Sequence, residues 1–306
     1  MLDKPIDILV CFPIRKTKKQ KESFRNAVQL YVRQFGYDVC IEKGRFGSNN
    51  LVIGNPEKAQ YLVTAHYDTP AWLPIPNLIT PCNFLPYLLY QLFILIFIVG
   101  LSLLLKIIFG IWLDEMISVS SYYWIVILFM LIGPANPSNA NDNTSGVVTL
   151  LEIVRTLPAI HRDKVCFVLF DLEEAGLIGS SSYHKKHKTV IDNQIILNLD
   201  CVGEGDHIVM FPTKQMKKDK NKLNLLHKVC GNFGEKSITV RDKGFSVYPS
   251  DQKNFPYGVG ICALKPSKFG LYLGKIHTRK DTVLDITNVN ILRAALTTLI
   301  CCDAVN

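Results

Sequence analysis

The sequence lacks the cysteine patterns that mark disulfide scaffolds and zinc ribbons. Its nine Cys residues are an odd number and include no C-x-x-C pair. Several of them, such as Cys166, Cys201 and Cys262, lie inside apolar runs. Cysteines in such runs are typical of small buried side chains in a reducing compartment. A disulfide framework is therefore not expected.

The beginning of the chain, MLDKPIDILVCFPIRK, lacks the long apolar core of a cleaved signal peptide. We therefore expect the chain outside its apolar segments to lie in the cytoplasm. The net charge is +8, and basic residues cluster only in Arg15–Lys21 and Lys214–Lys222. Since no nucleic-acid-binding motif accompanies them, nucleic acid is not an expected partner. The clusters are either solvated helix faces or a surface attracted to anionic membranes.

Strand-like and helix-like segments alternate through most of the 306 residues. The runs Lys58–His66, Lys164–Asp171 and Gln194–Asp200 are typical of buried strands. Helical spacing of apolar residues predicts a helix over Thr144–Pro158, with Thr and Ser as possible caps. This alternation predicts an α/β fold with a mostly parallel mixed sheet and helices on both faces. The sequence does not specify an oligomeric state.

Two segments contain no charged residue, Phe84–Leu105 and Met116–Ala135. At 1.5 Å rise per residue, each is long enough to cross a hydrocarbon core of about 30 Å. The acidic turn between them, with Asp114 and Glu115, favours a hairpin whose two ends are cytoplasmic. A buried core hairpin, an amphipathic lid and a dimerisation arm are the alternatives. We predict a membrane hairpin over residues 83–135.

This insertion would divide the rest of the chain into residues 1–82 and 136–306. Both parts carry polar residues that could form a functional site, so we expect them to make one discontinuous domain. Residues 83–135 would then be the contact with the membrane.

Five short motifs hold His and acidic residues at places where catalytic chemistry would use them. Each alone is weak, because an Asp before a helix is commonly an N-cap and a Glu pair is commonly a solvated turn. Three of the five follow apolar strands, and the carboxyl ends of parallel strands meet at one edge of a sheet. The motifs are HYD (His66, Asp68), NANDNTSG (Asp142), FDLEEAGLIGS (Glu173, Glu174), NLDCVGEGD (Asp200) and KIHTRKD (His277).

A cluster of this composition suits two divalent cations. Two neutral imidazoles and three carboxylates, with a bridging hydroxide, nearly balance the charge of two such ions. The same carboxylates without a cation would repel one another and tend to protonate. Mixed His and carboxylate ligands favour zinc, with manganese, cobalt or iron as alternatives. One carboxylate of the Glu pair is left to act as a base.

Taken in order, these motifs resemble those of two-zinc peptidases of the bacterial leucyl aminopeptidase type. That superfamily also includes glutaminyl cyclases and the transferrin-receptor ectodomain. The match runs from about Tyr61 to Asp281, interrupted by the apolar insertion. The resemblance implies a zinc-peptidase-like sandwich, a peptide substrate and zinc-dependent removal of N-terminal residues. The apolar insertion would make this enzyme membrane-tethered.

The resemblance also implies a role for each motif residue. His66 and Asp200 would bind one zinc ion, and Glu174 and His277 the other. Asp142 would bridge both ions, with a cis peptide bond after it. The general base would be Glu173, and Asp68 would hydrogen-bond to His66 and fix its tautomer.

The sequence departs from the family pattern at two places. Ile276 stands where some members have a Tyr that stabilises the oxyanion, and Tyr248, Tyr257 or Tyr272 could take that role. The secreted aminopeptidases also lack the apolar insertion.

Two other functions remain to be weighed against the peptidase. A glutaminyl-cyclase-like acyl transferase with a single zinc is disfavoured because His66 and Asp200 are both retained. A non-catalytic membrane scaffold or receptor is disfavoured because every position of the ligand and base set is filled.

Overall fold

The predicted alternation of strands and helices is present in the structure. A computed structural model describes residues 2–73, 77–110, 124–125, 128–129 and 132–302, without the side chains of residues 109, 110 and 302. The strands are β1 (Val39–Lys43), β2 (Asn49–Ile53), β3 (Tyr61–His66), β4 (Asn77–Ile79), β5 (Val165–Phe170), β6 (Ile195–Leu199), β7 (His207–Pro212), β8 (Gly231–Phe233), β9 (Lys236–Val240), β10 (Gly258–Ser267) and β11 (Gly270–Ile276). The helices are α1 (Ile8–Cys11), α2 (Lys18–Arg33), α3 (Phe84–Gly110), α4 (Gly146–Thr156), α5 (Ile178–Lys186), α6 (Lys188–Ile191), α7 (Lys214–Lys218), α8 (Lys220–His227) and α9 (Ile286–Cys302).

The strands of the described chain form one mixed sheet in the order β1-β2-β5-β3-β6-β10-β7-β9-β8. Its centre is parallel, because β3 pairs in parallel with β5 and β6, and β6 does so with β10. The flanking β1, β2 and β7 are antiparallel to their inner neighbours. A separate ladder attaches β11 to β10 and β4 to β11. The predicted mixed α/β sheet is thus confirmed.

Helices cover both faces of the sheet. Alternate residues of the central strands point to opposite faces, so Val63 and Phe167 enter one core while Leu62 and Val168 enter the other. The larger core packs the sheet against α2, α4 and α9, and the smaller core packs it against α5 and α6. Burial on both faces explains why the central strands are almost continuously apolar in sequence.

The predicted helix over Thr144–Pro158 is α4, but it begins later than expected. Thr144 and Ser145 belong to a π-helical turn, Ala140–Ser145, and neither caps the helix. Their hydroxyls are used elsewhere, since Thr144 donates to the Asn139 side chain and Ser145 to the Asn141 carbonyl, both at 2.7 Å. Both acceptors lie four or five residues earlier in the chain, so hydrogen bonds within the turn have replaced capping of the helix.

Helix α3 contains the first uncharged segment. In the described part of the chain it is the one helix long and apolar enough to cross a membrane, and only 11% of its apolar window is buried. A core helix such as α4 is instead mostly buried. One such helix is weak evidence for a membrane. Asp114 and Glu115 lie outside the described residues, as does most of the second uncharged segment. Within that segment the described helical positions are 124–125, 128–129 and 132.

Candidate functional site

The motif residues converge at the carboxyl edge of the parallel strands. His66 is the last residue of β3, Glu173 and Glu174 follow β5, and Asp200 directly follows β6. The other two members come from outside the parallel centre of the sheet. Asp142 lies in the π-helical turn before α4, and His277 follows β11, the strand on the added ladder. The topology therefore gathers side chains that are far apart in sequence.

Asp142 lies at the centre of this cluster, with its two carboxylate oxygens facing opposite imidazoles. Its Oδ1 is 3.3 Å from Nε2 of His66, and its Oδ2 is 3.1 Å from Nε2 of His277. His66 Nε2 is also 3.6 Å from Oδ1 of Asp200, and His277 Nε2 is 3.5 Å from Oε2 of Glu174. Two three-residue groups thus share Asp142, and within each group the ligand atoms lie within 4.8 Å of one another.

Asp68 fixes the position of the Glu pair. Its Oδ1 accepts a hydrogen bond from the backbone N–H of Glu173 at 3.1 Å, and its Oδ2 accepts one from Glu174 at 3.2 Å. The same Oδ1 faces Nδ1 of His66 at 3.6 Å, which is longer than a hydrogen bond. Asp68 therefore joins β3 to the loop after β5.

A cavity of about 170 Å³ opens between these groups, and Glu173 is among its lining residues. Tyr248 also lines it, and the Tyr248 hydroxyl donates to the carbonyl of Asp200 at 3.0 Å. Tyr257 instead packs under the ammonium of Lys222, and Tyr272 lies outside the cavity lining. Of the three tyrosines considered from the sequence, Tyr248 is the one that borders the cavity.

The site concentrates negative charge in a buried place. Burial raises the pKa of Glu173 and Glu174 well above the usual carboxyl range, and neighbouring carboxylates add to the effect. Burial alone would lower the pKa of His66, but Glu173 and the aspartates around it raise that pKa well above its usual value. The pKa of Asp142 is lowered despite burial, because His277 and His66 stabilise its charge. Such a cluster attracts cations.

Asp281 supports the turn that carries Asp142, a contact that the sequence did not indicate. It is buried, and its two carboxylate oxygens accept hydrogen bonds from the backbone N–H groups of Asn141 and Asp142 at 2.8 Å and 3.0 Å. Burial and the charge of Asp142 raise the pKa of Asp281 to about 7. In the sequence, only its position four residues after His277 connected Asp281 with the candidate site. Asp281 fixes the backbone that carries the central carboxylate. The peptide bond from Asp142 to Asn143 is cis, as the resemblance implies.

Arg15 supports the same loops from the N-terminal segment, where the sequence showed only a basic stretch. Its side chain is fully buried, with Nε donating to the Tyr67 carbonyl at 2.6 Å and Nη2 to Thr144 Oγ1 at 3.0 Å. Its backbone N–H donates to Thr69 Oγ1 at 2.7 Å. These contacts join the loops that carry Asp68 and Asp142.

The donor set fits divalent metal ions. Imidazole nitrogens and carboxylate oxygens are the ligands that zinc takes in catalytic sites. Each three-residue group provides both kinds of donor, and Asp142 belongs to two groups that contain different imidazoles. Burial, and then the neighbouring carboxylates, raise the pKa of Glu173 and Glu174, and bound cations would stabilise the charged forms of these groups. The geometry therefore accommodates a metal pair better than a proton-sharing carboxyl dyad.

Comparisons with known proteins agree with this chemistry. The family model for Peptidase family M28 matches residues 120–300. Aminopeptidase YwaD of Bacillus subtilis is 42% identical over 73 residues, which are 23% of this chain and 16% of that protein. The match thus spans well under two thirds of that relative's length.

Solved structures show the same fold. The Legionella pneumophila LapA aminopeptidase superposes with a TM-score of 0.59 at 16% identity, covering 97% of this chain and 69% of that chain. The Porphyromonas gingivalis glutaminyl cyclase superposes with a TM-score of 0.60 at 16% identity, covering 98% of this chain and 96% of that chain. At these identities the similarity concerns the arrangement of the strands and helices.

Proposed function

Since the chain belongs to Peptidase family M28, we propose that it is a two-zinc aminopeptidase that removes N-terminal residues from peptides. One observation carries the proposal: Asp142 presents one carboxylate oxygen to His66 and the other to His277. A carboxylate placed in this way could hold two cations, and such a pair would supply positive charge for the attacking water and for the scissile carbonyl oxygen. The similarity to an aminopeptidase over part of the chain supports exopeptidase action.

In this proposal the site residues divide between two zinc ions. His66 and Asp200 would hold one ion, Glu174 and His277 would hold the other, and Asp142 would serve both. When bound, such ions would polarise the scissile carbonyl and make a water molecule more acidic. Asp68 positions the Glu pair through its two backbone hydrogen bonds.

Glu173 is the carboxyl of the pair that remains free of metal in this division. It lines the cavity, and burial raises its pKa well above the usual range. A carboxyl with a raised pKa suits a group that must accept and return a proton near neutral pH. Glu173 takes a proton from the attacking water and later delivers it to the leaving amine.

We also propose that residues 83–135 insert into a membrane, with residues 1–82 and 136–306 forming one catalytic domain on the cytoplasmic side. The exposed apolar surface of α3, which carries no charged residue before Lys106, supports this arrangement. The end of the insertion returns to the catalytic domain, since Trp72 N–H donates to the Pro134 carbonyl at 2.8 Å and Asn136 N–H to the Pro70 carbonyl at 2.9 Å.

The variant Glu173→Gln tests the catalytic proposal. Elemental analysis should find about two zinc ions per chain in both the wild type and the variant. Hydrolysis of aminoacyl amides should fall by about 10²–10⁴-fold in the variant, the range for loss of a general base. Asp192→Asn, at a surface carboxylate, is the control and should keep full activity. Unimpaired hydrolysis by Glu173→Gln would refute the assignment, and one zinc with cyclisation of N-terminal Gln peptides would favour the acyl transferase.

A further inference from the structure

Two exposed tips flank the first turns of α3, and we call them together the α3 collar. The first tip is Lys243–Phe245. The Phe245 ring packs against Phe84 and Tyr87 of α3, with ring centroids 5.3 Å and 5.9 Å apart. The second tip is Lys268–Phe269, at the turn between β10 and β11. Each tip thus places a lysine next to an aromatic residue where α3 leaves the domain.

The second tip is held in place by its backbone while its ring is left exposed. The side-chain Nδ2 of Asn83, directly before α3, donates to the Phe269 carbonyl at 2.5 Å. The Phe269 side chain is nevertheless 71% exposed. A fixed, exposed aromatic residue beside an apolar helix is an arrangement expected at a membrane–water interface.

An apolar groove of about 600 Å³ lies between this tip and α3. Leu85 and Leu89 of α3 line one side, and Phe269 and Tyr272 line the other. The groove is continuous with the exposed apolar surface of α3, whose residues up to position 105 carry no charge. An occupant of the groove would therefore share the environment of that helix.

The collar is basic and free of acids. Residues 77–90, 243–249 and 265–276 contain no Asp or Glu. Two of their lysines, Lys265 and Lys275, are bound to Glu204 at 2.6 Å and 2.8 Å. Lys243 and Lys268 are exposed, and the described residues give neither an acidic partner. The unpaired positive charge of the collar is complementary to an anionic surface.

A thin wall separates the groove from the catalytic cavity. Successive residues of β4 face opposite ways, so Asn77 and Ile79 line the cavity while Leu78 lines the groove. On β11, Leu273 lines the cavity and Tyr272 the groove. Whatever surface the collar contacts is therefore next to the site of catalysis.

We infer that the α3 collar rests on the anionic phospholipid surface of a bilayer. Lys243 and Lys268 contact the lipid headgroups, Phe245 and Phe269 lie at headgroup depth, and an acyl chain fills the groove. The inference rests on the proposed membrane insertion of α3 and adds to it an orientation. In that orientation the catalytic cavity lies close to the membrane surface, on the other side of the wall formed by β4 and β11.

Depth-dependent fluorescence quenching tests this orientation. The full chain, with Phe269→Trp, is reconstituted into phosphatidylcholine vesicles with phosphatidylserine and a nitroxide-labelled lipid. Ile160→Trp is the matched control, because Ile160 is 83% exposed and lies just before β5, at the edge of the sheet opposite the site. The signal of each variant is corrected for the three native Trp residues by subtracting the wild type.

The inference predicts that the Trp at position 269 is quenched several-fold more strongly than the Trp at position 160. Equal quenching of the two in vesicles that the protein has entered would overturn the collar contact and leave the insertion of α3 intact. Failure of the protein to float with the vesicles would overturn both. A Trp at position 269 quenched less than the control would place the collar away from the lipid and favour a peptide or a second protein in the groove.

The charge complementarity has its own measurement. The measured preference is the ratio of the affinity for vesicles with phosphatidylserine to the affinity for vesicles without it. In the double variant Lys243→Gln, Lys268→Gln this ratio should fall by about fivefold for each lysine, since each basic residue near an anionic membrane contributes about 1 kcal/mol. Lys188→Gln with Lys228→Gln, away from the collar, should keep the wild-type preference. An unchanged preference in the collar variant would overturn the role of the two lysines.

Discussion

The acidic cluster around Asp142 and helix α3 depart from the usual distribution of side chains in opposite directions. In the cluster, charged groups such as Asp142 and Asp200 are buried. In α3, large apolar residues such as Ile96 and Ile107 are 70% and 64% exposed. Buried charge and exposed apolar surface are the two distributions that carry information about function, because folding alone favours neither.

Each region is suited to a different environment. The buried carboxylates repel one another, and bound cations would remove that cost. The exposed helix would remove its apolar surface from water in a bilayer. Substitutions that disturb either region should be tolerated if the proposed environment is absent.

The largest effect is expected from Asp142→Asn, which keeps the shape of the side chain and removes its charge. Because Asp142 faces both imidazoles, the variant should lose bound zinc, and activity should fall well beyond the ~100-fold typical of residues that only support a ligand. Elemental analysis and aminoacyl amide hydrolysis provide the measurement. The control is Glu152→Gln, which also replaces a carboxylate by an amide. Glu152 lies on α4 and forms a surface ion pair with Arg155. Two zinc ions per chain in Asp142→Asn would contradict the proposed bridge.

The next effect is expected from Ile96→Lys, near the middle of the uncharged segment. A lysine at the centre of a membrane helix costs about 2.5–3.5 kcal/mol, whereas an exposed surface substitution in water changes stability by only about 0.5 kcal/mol. The membrane-bound fraction after expression should therefore fall. Ile160→Lys, at a residue that is 83% exposed outside the insertion, should leave it unchanged. An equal membrane-bound fraction for Ile96→Lys would show that α3 does not lie in the bilayer.

A smaller effect is expected from Asp281→Asn. The Asn side chain has one oxygen, so it can accept only one of the two backbone N–H groups that the Asp281 carboxylate accepts. The turn carrying Asp142 should therefore loosen. Zinc affinity should fall by about 10–100-fold, the range for residues that orient a ligand. A competition titration with a chromophoric chelator measures this directly. The control is Asp285→Asn, before α9. Equal zinc affinities for the two variants would show that Asp281 does not support the zinc site.

Much of the site could be predicted because strand ends obey a simple rule. His66, the Glu pair and Asp200 follow apolar runs that are recognisable as buried strands, and parallel strands bring their carboxyl ends together. Asp142 and His277 do not follow such strands. Their motifs were candidates from the residue types alone, and the resemblance to a family implied their roles in the site.

The supporting residues could not be predicted, because their partners are distant in sequence. Asp281 binds backbone groups 139 and 140 residues away, and Arg15 binds Thr144 across 129 residues. No local pattern encodes such contacts. The short β4 and the ladder through β11, which separate the cavity from the apolar groove, also depend on tertiary packing.

The most direct test of the account is X-ray diffraction from crystals of the zinc-loaded protein at the zinc absorption edge. The account predicts two anomalous peaks, one on each side of the Asp142 carboxylate, near His66 and near His277. A single peak, or zinc bound away from Asp142, would contradict the two-metal site.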